Sequence, residues 1–214
     1  SHKGYNHDTA MDITLFTRQG VERIHRFAFE IARSRPRKLL TLVTKSNAQR
    51  HGMVMWDEIF EEISQDYRDI TTDKMLVDAM TTRMVLDPQS IDTVVASNLH
   101  ADILTDLAAS LSGSMGIAPT GNLDPEKRHP SMFEPIHGSA FDIMGQGIAN
   151  PIGSYWSAVM MLENLGELKA SQRLMSAIEK LTSDKKVLPK DLGGKSSTKE
   201  VTKAMINILL GKNK

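Results

Sequence analysis

Hydrophobic residues recur every three or four positions from Val21 to Ile31, with arginine and glutamate between them. This pattern predicts an amphipathic helix, and Pro36 predicts where the helix ends. Residues 38–44 (KLLTLVT) and 92–97 (DTVVAS) are short apolar runs with several β-branched residues. Such runs are typical of buried strands, so each of them is predicted to lie inside a sheet.

The rest of the chain continues this alternation of helices and strands. Further helices are predicted over residues 53–64, over residues 98–111, and over residues 155–165, where Gly166 ends the helix. Another helix is predicted from the apolar face formed by Leu174, Ala177, Ile178 and Leu181. A last helix is predicted to begin at the capping box of Ser197 and Glu200. Another regular segment is predicted over residues 74–84, and residues 1–13 are predicted to be a loop or disordered. The order of elements predicts an α/β protein with at least some parallel strand pairing.

Residues 113–151 differ from the rest because glycine and proline are frequent there, and loops are predicted to dominate. So dense a loop region in an otherwise regular protein is often functional. The run GQGIAN at 145–150 contains part of a dinucleotide-binding fingerprint. It lacks the third glycine and no clear strand precedes it, so we do not assign a Rossmann-type motif here.

Composition narrows the possible functions. The chain has 214 residues, 26 basic against 26 acidic residues, and no cysteine. Zero net charge argues against nucleic acid or an anionic membrane as a partner. Without cysteine there is no disulfide and no thiolate site, so a metal ion would need oxygen or imidazole ligands. The apolar runs are too short to cross a membrane and no signal-peptide pattern opens the chain, which predicts a cytoplasmic protein.

Two carboxylates and one lysine follow the predicted strands. Asp102 and Asp106 are four residues apart in a predicted helix, so they share one face. Paired carboxylates suit a hard divalent ion such as Mg²⁺ or Mn²⁺, although a solvated acidic face is the commoner explanation of this spacing. Lys45 directly follows a predicted strand, at the sheet edge where α/β proteins bind ligands. Taken alone, it is equally consistent with an ordinary surface lysine.

A third candidate is the run of small residues at 133–153, which contains His137, Asp142 and Asn150. Exposed backbone N–H groups, a carboxylate and an amide suit nucleotide binding, because Asp accepts from ribose hydroxyls and Asn pairs with an adenine edge. The alternative for His137 is a buried histidine bonded to the backbone.

Five motifs taken together resemble the β-decarboxylating dehydrogenases, the family of isocitrate, isopropylmalate and tartrate/D-malate dehydrogenases. They are TKSN (44–47), VDAM (77–80), NLHADILTDL (98–107), GIAPTGNL (116–123) and EPIHGSAFDIMGQGIANPI (134–152), in the family's order and spacing. The stretch 17–38 is most similar to the tartrate/D-malate branch. The resemblance implies an isocitrate/isopropylmalate dehydrogenase-like α/β fold, with a small domain over 1–112 and part of the nucleotide-binding domain over 113–214.

The resemblance also implies an active site shared by a homodimer. Asp102 and Asp106, with Asp78 from the partner subunit, would bind Mg²⁺ or Mn²⁺, which chelates a 2-hydroxy acid substrate. Lys45, also contributed across the dimer, would take the hydroxyl proton as hydride passes to NAD. Asn47 would lie near the nicotinamide. A further group would bind the rest of NAD: Glu134, His137, Gly138, Ser139, Ala140, Asp142 and Asn150. The carboxylate of Asp142 would favour NAD over NADP.

Some positions depart from the family pattern. His100 and Ala101 replace an aromatic-glycine pair, Phe141 replaces a proline, and Gly121 replaces a small residue with a Cβ. Ala101 is harmless if the backbone there is helical and strained if φ is positive. The substrate-binding arginines and the tyrosine acid of the family do not align with residues 1–15. We therefore expect roughly the C-terminal three-fifths of such an enzyme, with the N-terminal part of the larger domain absent.

The alternative is a non-catalytic paralogue or truncated product that acts as a dimerisation module. The retention of Lys45, Asp78, Asp102, Asp106 and Asp142 together favours the enzyme. For the chain alone we expect Mn²⁺ binding only through a dimer, and little turnover.

Overall fold

The computed structural model describes Gly4 and residues 8–212. The helices are α1 (Arg18–Ser34), α2 (Gly52–Ser64), α3 (Val77–Leu86), α4 (Asn98–Leu111), α5 (Ile152–Asn164), α6 (Leu168–Ser183) and α7 (Thr198–Leu209). The strands are β1 (Leu39–Thr44), β2 (Thr71–Leu76), β3 (Thr93–Val95), β4 (Pro119–Asn122) and β5 (Met132–Pro135). The chain divides into two compact units, residues 1–105 and 106–214, and the division falls inside α4.

A three-stranded parallel sheet in the order β2-β1-β3 organises the first unit. Leu39 of β1 pairs with Thr71 of β2, and Leu40 pairs with Thr93 of β3. The central strand is buried from Leu40 to Thr44, as its continuous apolar run predicted. The predicted α/β class with parallel pairing is therefore confirmed.

Helices cover both faces of this sheet. Leu40 and Leu42 pack in one core cluster with Phe29 of α1 and Ile59 of α2. Val43 points to the other face and packs with buried residues of the helices there, Met80 of α3 and Leu104 of α4. Alternate residues of β1 thus enter different cores, which explains why the strand shows no polar alternation.

The buried face of α1 is offset from the predicted one. Ile24 and Ile31 are 39% and 41% exposed, whereas His25, Phe29 and Ala32 are buried. The apolar period predicted the helix correctly, and Val21 and Ala28 are buried as it implied, but the buried stripe is shifted toward His25, Phe29 and Ala32.

The second unit packs α5, α6 and α7 around a core that includes Ile152, Val159, Ile178 and Val201. An antiparallel hairpin of β4 and β5, with Thr120 opposite Glu134, lies within the region where loops were expected to dominate. The hairpin was not predicted because its strands are only four residues long and contain Pro, Gly and Asn.

Two other sequence predictions can be compared with the structure. The segment 74–84 is the end of β2 followed by α3 rather than one element. The loop predicted for residues 1–13 falls partly outside the described residues, and residues 8–17 contain neither helix nor strand. Among the described helices, none combines the length and apolarity needed to span a membrane. The domain boundary predicted near residue 112 stays a prediction.

Candidate active site

Lys45 lies where β1 ends, in a tight turn. Its carbonyl oxygen accepts the backbone N–H groups of Ala48 and Gln49, each at 2.9 Å. Its side-chain ammonium forms an ion pair with Asp78, in the first turn of α3. The hydrogen bond from Lys45 holds the pKa of Asp78 below its usual range. Because β1 and β2 are parallel neighbours, their carboxyl ends bring these two side chains to the same edge of the sheet.

Asp102 and Asp106 are both exposed on the continuous helix α4. In the part of the chain that the structure describes, neither carboxylate has a hydrogen bond or an ion pair; only their backbone carbonyls accept bonds, from Thr105 and Ser110. Like charges at this spacing cost a helix about 0.2–0.5 kcal/mol. Two free carboxylates one turn apart therefore provide oxygen donors that fit a hard divalent cation.

The third predicted ligand does not complete a metal site within one chain. Across Gly4 and residues 8–212, no group of three or more His, Asp or Glu side chains is placed to hold a metal ion. Asp78 is instead committed to Lys45.

His100, which departs from the family pattern, is buried near Lys45. Burial lowers the pKa of His100, and the positive charge of Lys45 lowers it further. Ala101 lies within α4 and has no positive φ, so the condition under which alanine is tolerated before Asp102 is met.

A cavity of about 950 Å³ lies in the second unit, a volume that suits a nucleotide-sized ligand. Five of the predicted cofactor-binding residues line it: His137, Gly138, Ser139, Ala140 and Asn150. Three others, Asn47, Glu134 and Asp142, are not among the residues that line it. Apolar side chains such as Ile143 and Met144 form part of the wall, which suits the face of an adenine ring.

Asp191 joins the segments around this cavity and was missed from the sequence. Its carboxylate accepts from the hydroxyl of Ser114 and, at 2.8 Å, from the amide nitrogen of Asn150. The amide oxygen of Asn150 accepts the backbone N–H of Ile152 at 2.9 Å. A Cβ added at Gly116 would lie 2.6 Å from the Asp191 carboxylate, so a larger residue there would displace that carboxylate.

The side chain of Asn150 therefore fixes the cavity wall through two hydrogen bonds, one to Asp191 and one from the backbone of Ile152. The sequence indicated only that Asp191 lies in a predicted loop, shortly before Gly193 and Gly194. That signal could not show which segments the side chain would reach.

The loop over the cavity is held by α7. The backbone N–H of Thr198 donates to the Gly147 carbonyl at 2.9 Å, and the Thr198 hydroxyl donates to the carbonyl of Ala149. The capping box of Ser197 and Glu200 begins this helix as predicted. Gly147 has a φ of 68°, a conformation that favours glycine.

The chain is similar to a known protein family and to several of its members. Residues 1–206 match the isocitrate/isopropylmalate dehydrogenase family. A probable tartrate dehydrogenase/decarboxylase of Agrobacterium vitis is 61% identical over 100% of the chain, which corresponds to 59% of that protein. The D-malate dehydrogenase (decarboxylating) of Escherichia coli is 44% identical over 98% of the chain and 59% of its own length.

The fold is also similar to that of solved structures. The crystal structure of isocitrate dehydrogenase from Methylococcus capsulatus superposes with a TM-score of 0.88 at 39% identity, covering 92% of this chain and 58% of that one. The chain thus spans about 59% of the length of the curated relatives cited above. It belongs to the isocitrate/isopropylmalate dehydrogenase family.

Proposed function

We propose that the chain supplies metal-binding, proton-transfer and cofactor-binding residues to an NAD-dependent enzyme that oxidatively decarboxylates a 2-hydroxy acid. The candidate substrates are tartrate, D-malate and 3-isopropylmalate. The observation that carries the proposal is the ion pair of Lys45 and Asp78 at the carboxyl edge of the sheet. It joins the proposed base to a proposed metal ligand, in a chain whose similar proteins are named as decarboxylating dehydrogenases.

The proposal assigns one half of each metal site to each chain of a homodimer. Asp102 and Asp106 of one chain would face Asp78 and Lys45 of its partner. In support, Leu99 and Ile103 are 62% and 52% exposed on α4, and their spacing puts them on the same helical stripe as the two carboxylates. An exposed stripe of apolar and acidic residues is consistent with an interface that also binds a cation.

Each residue has a defined task in this proposal. Asp78, Asp102 and Asp106 would hold Mg²⁺ or Mn²⁺, which when bound supplies Lewis-acid polarisation of the substrate's hydroxyl and carboxylate oxygens. Lys45 would accept the hydroxyl proton as hydride leaves for NAD. The Lys45 amine can accept that proton only in its uncharged form.

For the cofactor, the lining of the cavity and its volume support an adenosine-binding role. Asp142 is exposed in the loop between the lining residues Ala140 and Ile143. A carboxylate there would pair with ribose hydroxyls and repel a 2′-phosphate, so we expect NADH to bind more tightly than NADPH in a fluorescence titration. Equal or tighter binding of NADPH would contradict the assignment of NAD.

Metal titration tests the function. Mn²⁺ binding by the wild-type chain is expected to be weakened at least about tenfold by Asp102→Asn, since each ligand and its charge contribute directly. Asp66→Asn is the matched control, because Asp66 is an exposed carboxylate paired with Arg26. Equal Mn²⁺ affinity for wild type and Asp102→Asn would contradict the metal site and favour the non-catalytic dimerisation module.

A further inference from the structure

Asp57 is a buried acid that the proposed chemistry does not use. It lies in α2 and is only 7% exposed. One carboxylate oxygen accepts a hydrogen bond from the hydroxyl of Ser46 at 2.8 Å and lies 3.5 Å from the Lys74 ammonium. The other oxygen is buried and has no hydrogen-bond partner among the described residues. Burial of a carboxylate is costly unless hydrogen bonds or ion pairs compensate for it, so the few bonds of Asp57 matter for its placement.

Ser46, whose hydroxyl donates to Asp57, is adjacent to the proposed base Lys45. Ser46 stands between Lys45 and Asn47, inside the turn in which the Lys45 carbonyl accepts two backbone N–H groups. The turn is thus fixed from two sides. Asp57 of α2 holds its backbone through Ser46, and Asp78 of α3 holds the Lys45 side chain.

The bond to Lys74 does not by itself account for Asp57. Lys74 also pairs with Glu61 at 3.1 Å, and its side chain is 47% exposed. The ammonium is therefore solvated and neutralised without Asp57. The Ser46 hydroxyl has no other hydrogen bond in the described part of the chain.

We propose that Asp57 is a positioning residue that, through the hydroxyl of Ser46, fixes the turn presenting Lys45 and Asn47. This inference rests on the proposed function for its significance, since Lys45 matters as a base only if that function holds. Its geometry and its test do not depend on substrate, metal or cofactor.

The experiment compares Asp57→Ala, Ser46→Ala and the double variant with wild type, using the whole chain without ligands. The readouts are the NMR resonance of the Lys45 side-chain ammonium at one fixed pH and the hydrogen exchange of the Ala48 and Gln49 amides. Both single variants should shift the Lys45 resonance and speed these two amides roughly tenfold, as expected for loss of one hydrogen bond to a charged group. The double variant should do no more than either single variant.

Two further variants separate positioning from simple stability. Asp57→Asn keeps an acceptor for the Ser46 hydroxyl and should restore the wild-type resonance and exchange rates. Glu61→Gln removes the other carboxylate beside Lys74 without touching Ser46, and it should leave both readouts unchanged.

If Asp57→Ala alters only the thermal unfolding, with the turn amides and the Lys45 resonance as in Glu61→Gln, the inference is wrong. If Asp57→Ala does not fold, Ser46→Ala decides: unchanged readouts overturn the inference. Failure of Mn²⁺ or NADH binding would refute the proposed function and leave these readouts untouched.

Discussion

At the residue scale, His25 shows what burial does to a titratable side chain. Its ring packs edge-on against Trp56 at 4.6 Å and Phe60 at 5.4 Å. Neither ring nitrogen has a hydrogen-bond partner among the described residues. Burial lowers the pKa of His25 from 6.5 to about 4, opposed by the negative charge of Asp57. The histidine is thus a neutral member of an aromatic core.

This lowered pKa predicts how stability depends on pH. Between about 4 and 6.5 the unfolded chain binds a proton on His25 that the folded chain does not. The free energy of unfolding should therefore increase as the pH rises across this window. Lowering the pH from the top to the bottom of the window should reduce it by up to about 3 kcal/mol. Urea unfolding at several pH values measures this dependence.

The variant His25→Leu removes the titrating group, so its stability should depend less on pH than that of wild type in this window. Trp56→Phe is the control: it weakens the same aromatic cluster, and its loss of stability should be similar at each pH. An equally steep pH dependence in His25→Leu would contradict the role of His25.

Asp191 gives a second test at this scale. Asp191→Ala removes the acceptor that joins Ser114 to Asn150, so the cavity wall should loosen. NADH affinity, measured by fluorescence titration, should fall at least about tenfold because two hydrogen bonds to a charged group that hold the cavity wall are lost. Asp184→Ala, at an exposed carboxylate after α6, should bind NADH like wild type. If Asp191→Ala binds as tightly as its control, Asp191 does not shape the nucleotide site.

At the scale of elements, the sequence predicted what depends on local periodicity. Residues 98–111 were predicted as a helix with the same bounds as α4, and 38–44 nearly matches β1, because each has an uninterrupted pattern. The buried stripe of α1 was predicted only in part, because His25 enters an aromatic cluster with Trp56 and Phe60 that the period of α1 alone does not encode. The β4-β5 hairpin depends on pairing across a loop, which leaves no period in such short strands.

In the candidate site, too, local features could be predicted and long-range contacts could not. The spacing of Asp102 and Asp106 and the position of Lys45 after a strand are local features, and both could be predicted. The contact from Ser114 to Asp191 joins residues 77 positions apart. No local pattern encodes it, so it became visible only in the folded chain.

A substitution in α7 tests whether this helix holds the cavity loop in place. Thr198→Val keeps the side-chain shape and removes the hydroxyl that donates to the Ala149 carbonyl. NADH affinity should fall roughly fivefold, the effect of one neutral hydrogen bond. Thr182→Val is matched, because the Thr182 hydroxyl bonds only to carbonyls of its own helix. A similar NADH affinity for both variants would show that α7 does not order the loop.

At the scale of the whole molecule, the proposed base, metal ligands and cofactor cavity lie in different parts of the chain. The first unit holds Lys45 paired with Asp78, the helix α4 carries two free carboxylates, and the second unit holds a cavity of about 950 Å³. No described group of acids and histidines could by itself hold a metal. The central claim of the proposed function is that a second copy of the chain completes each site.

Mn²⁺ binding by mixed dimers tests this claim most directly. Chains carrying Asp78→Asn and chains carrying Asp102→Asn are coexpressed with different tags, and the mixed dimer is isolated through both. If each metal site combines Asp78 of one chain with Asp102 of the other, both variants fall in one site and about one tight Mn²⁺ site remains per mixed dimer. Dimers of either single variant should have none. A mixed dimer as defective as the single variants, or no mixed dimer at all, would contradict the shared site.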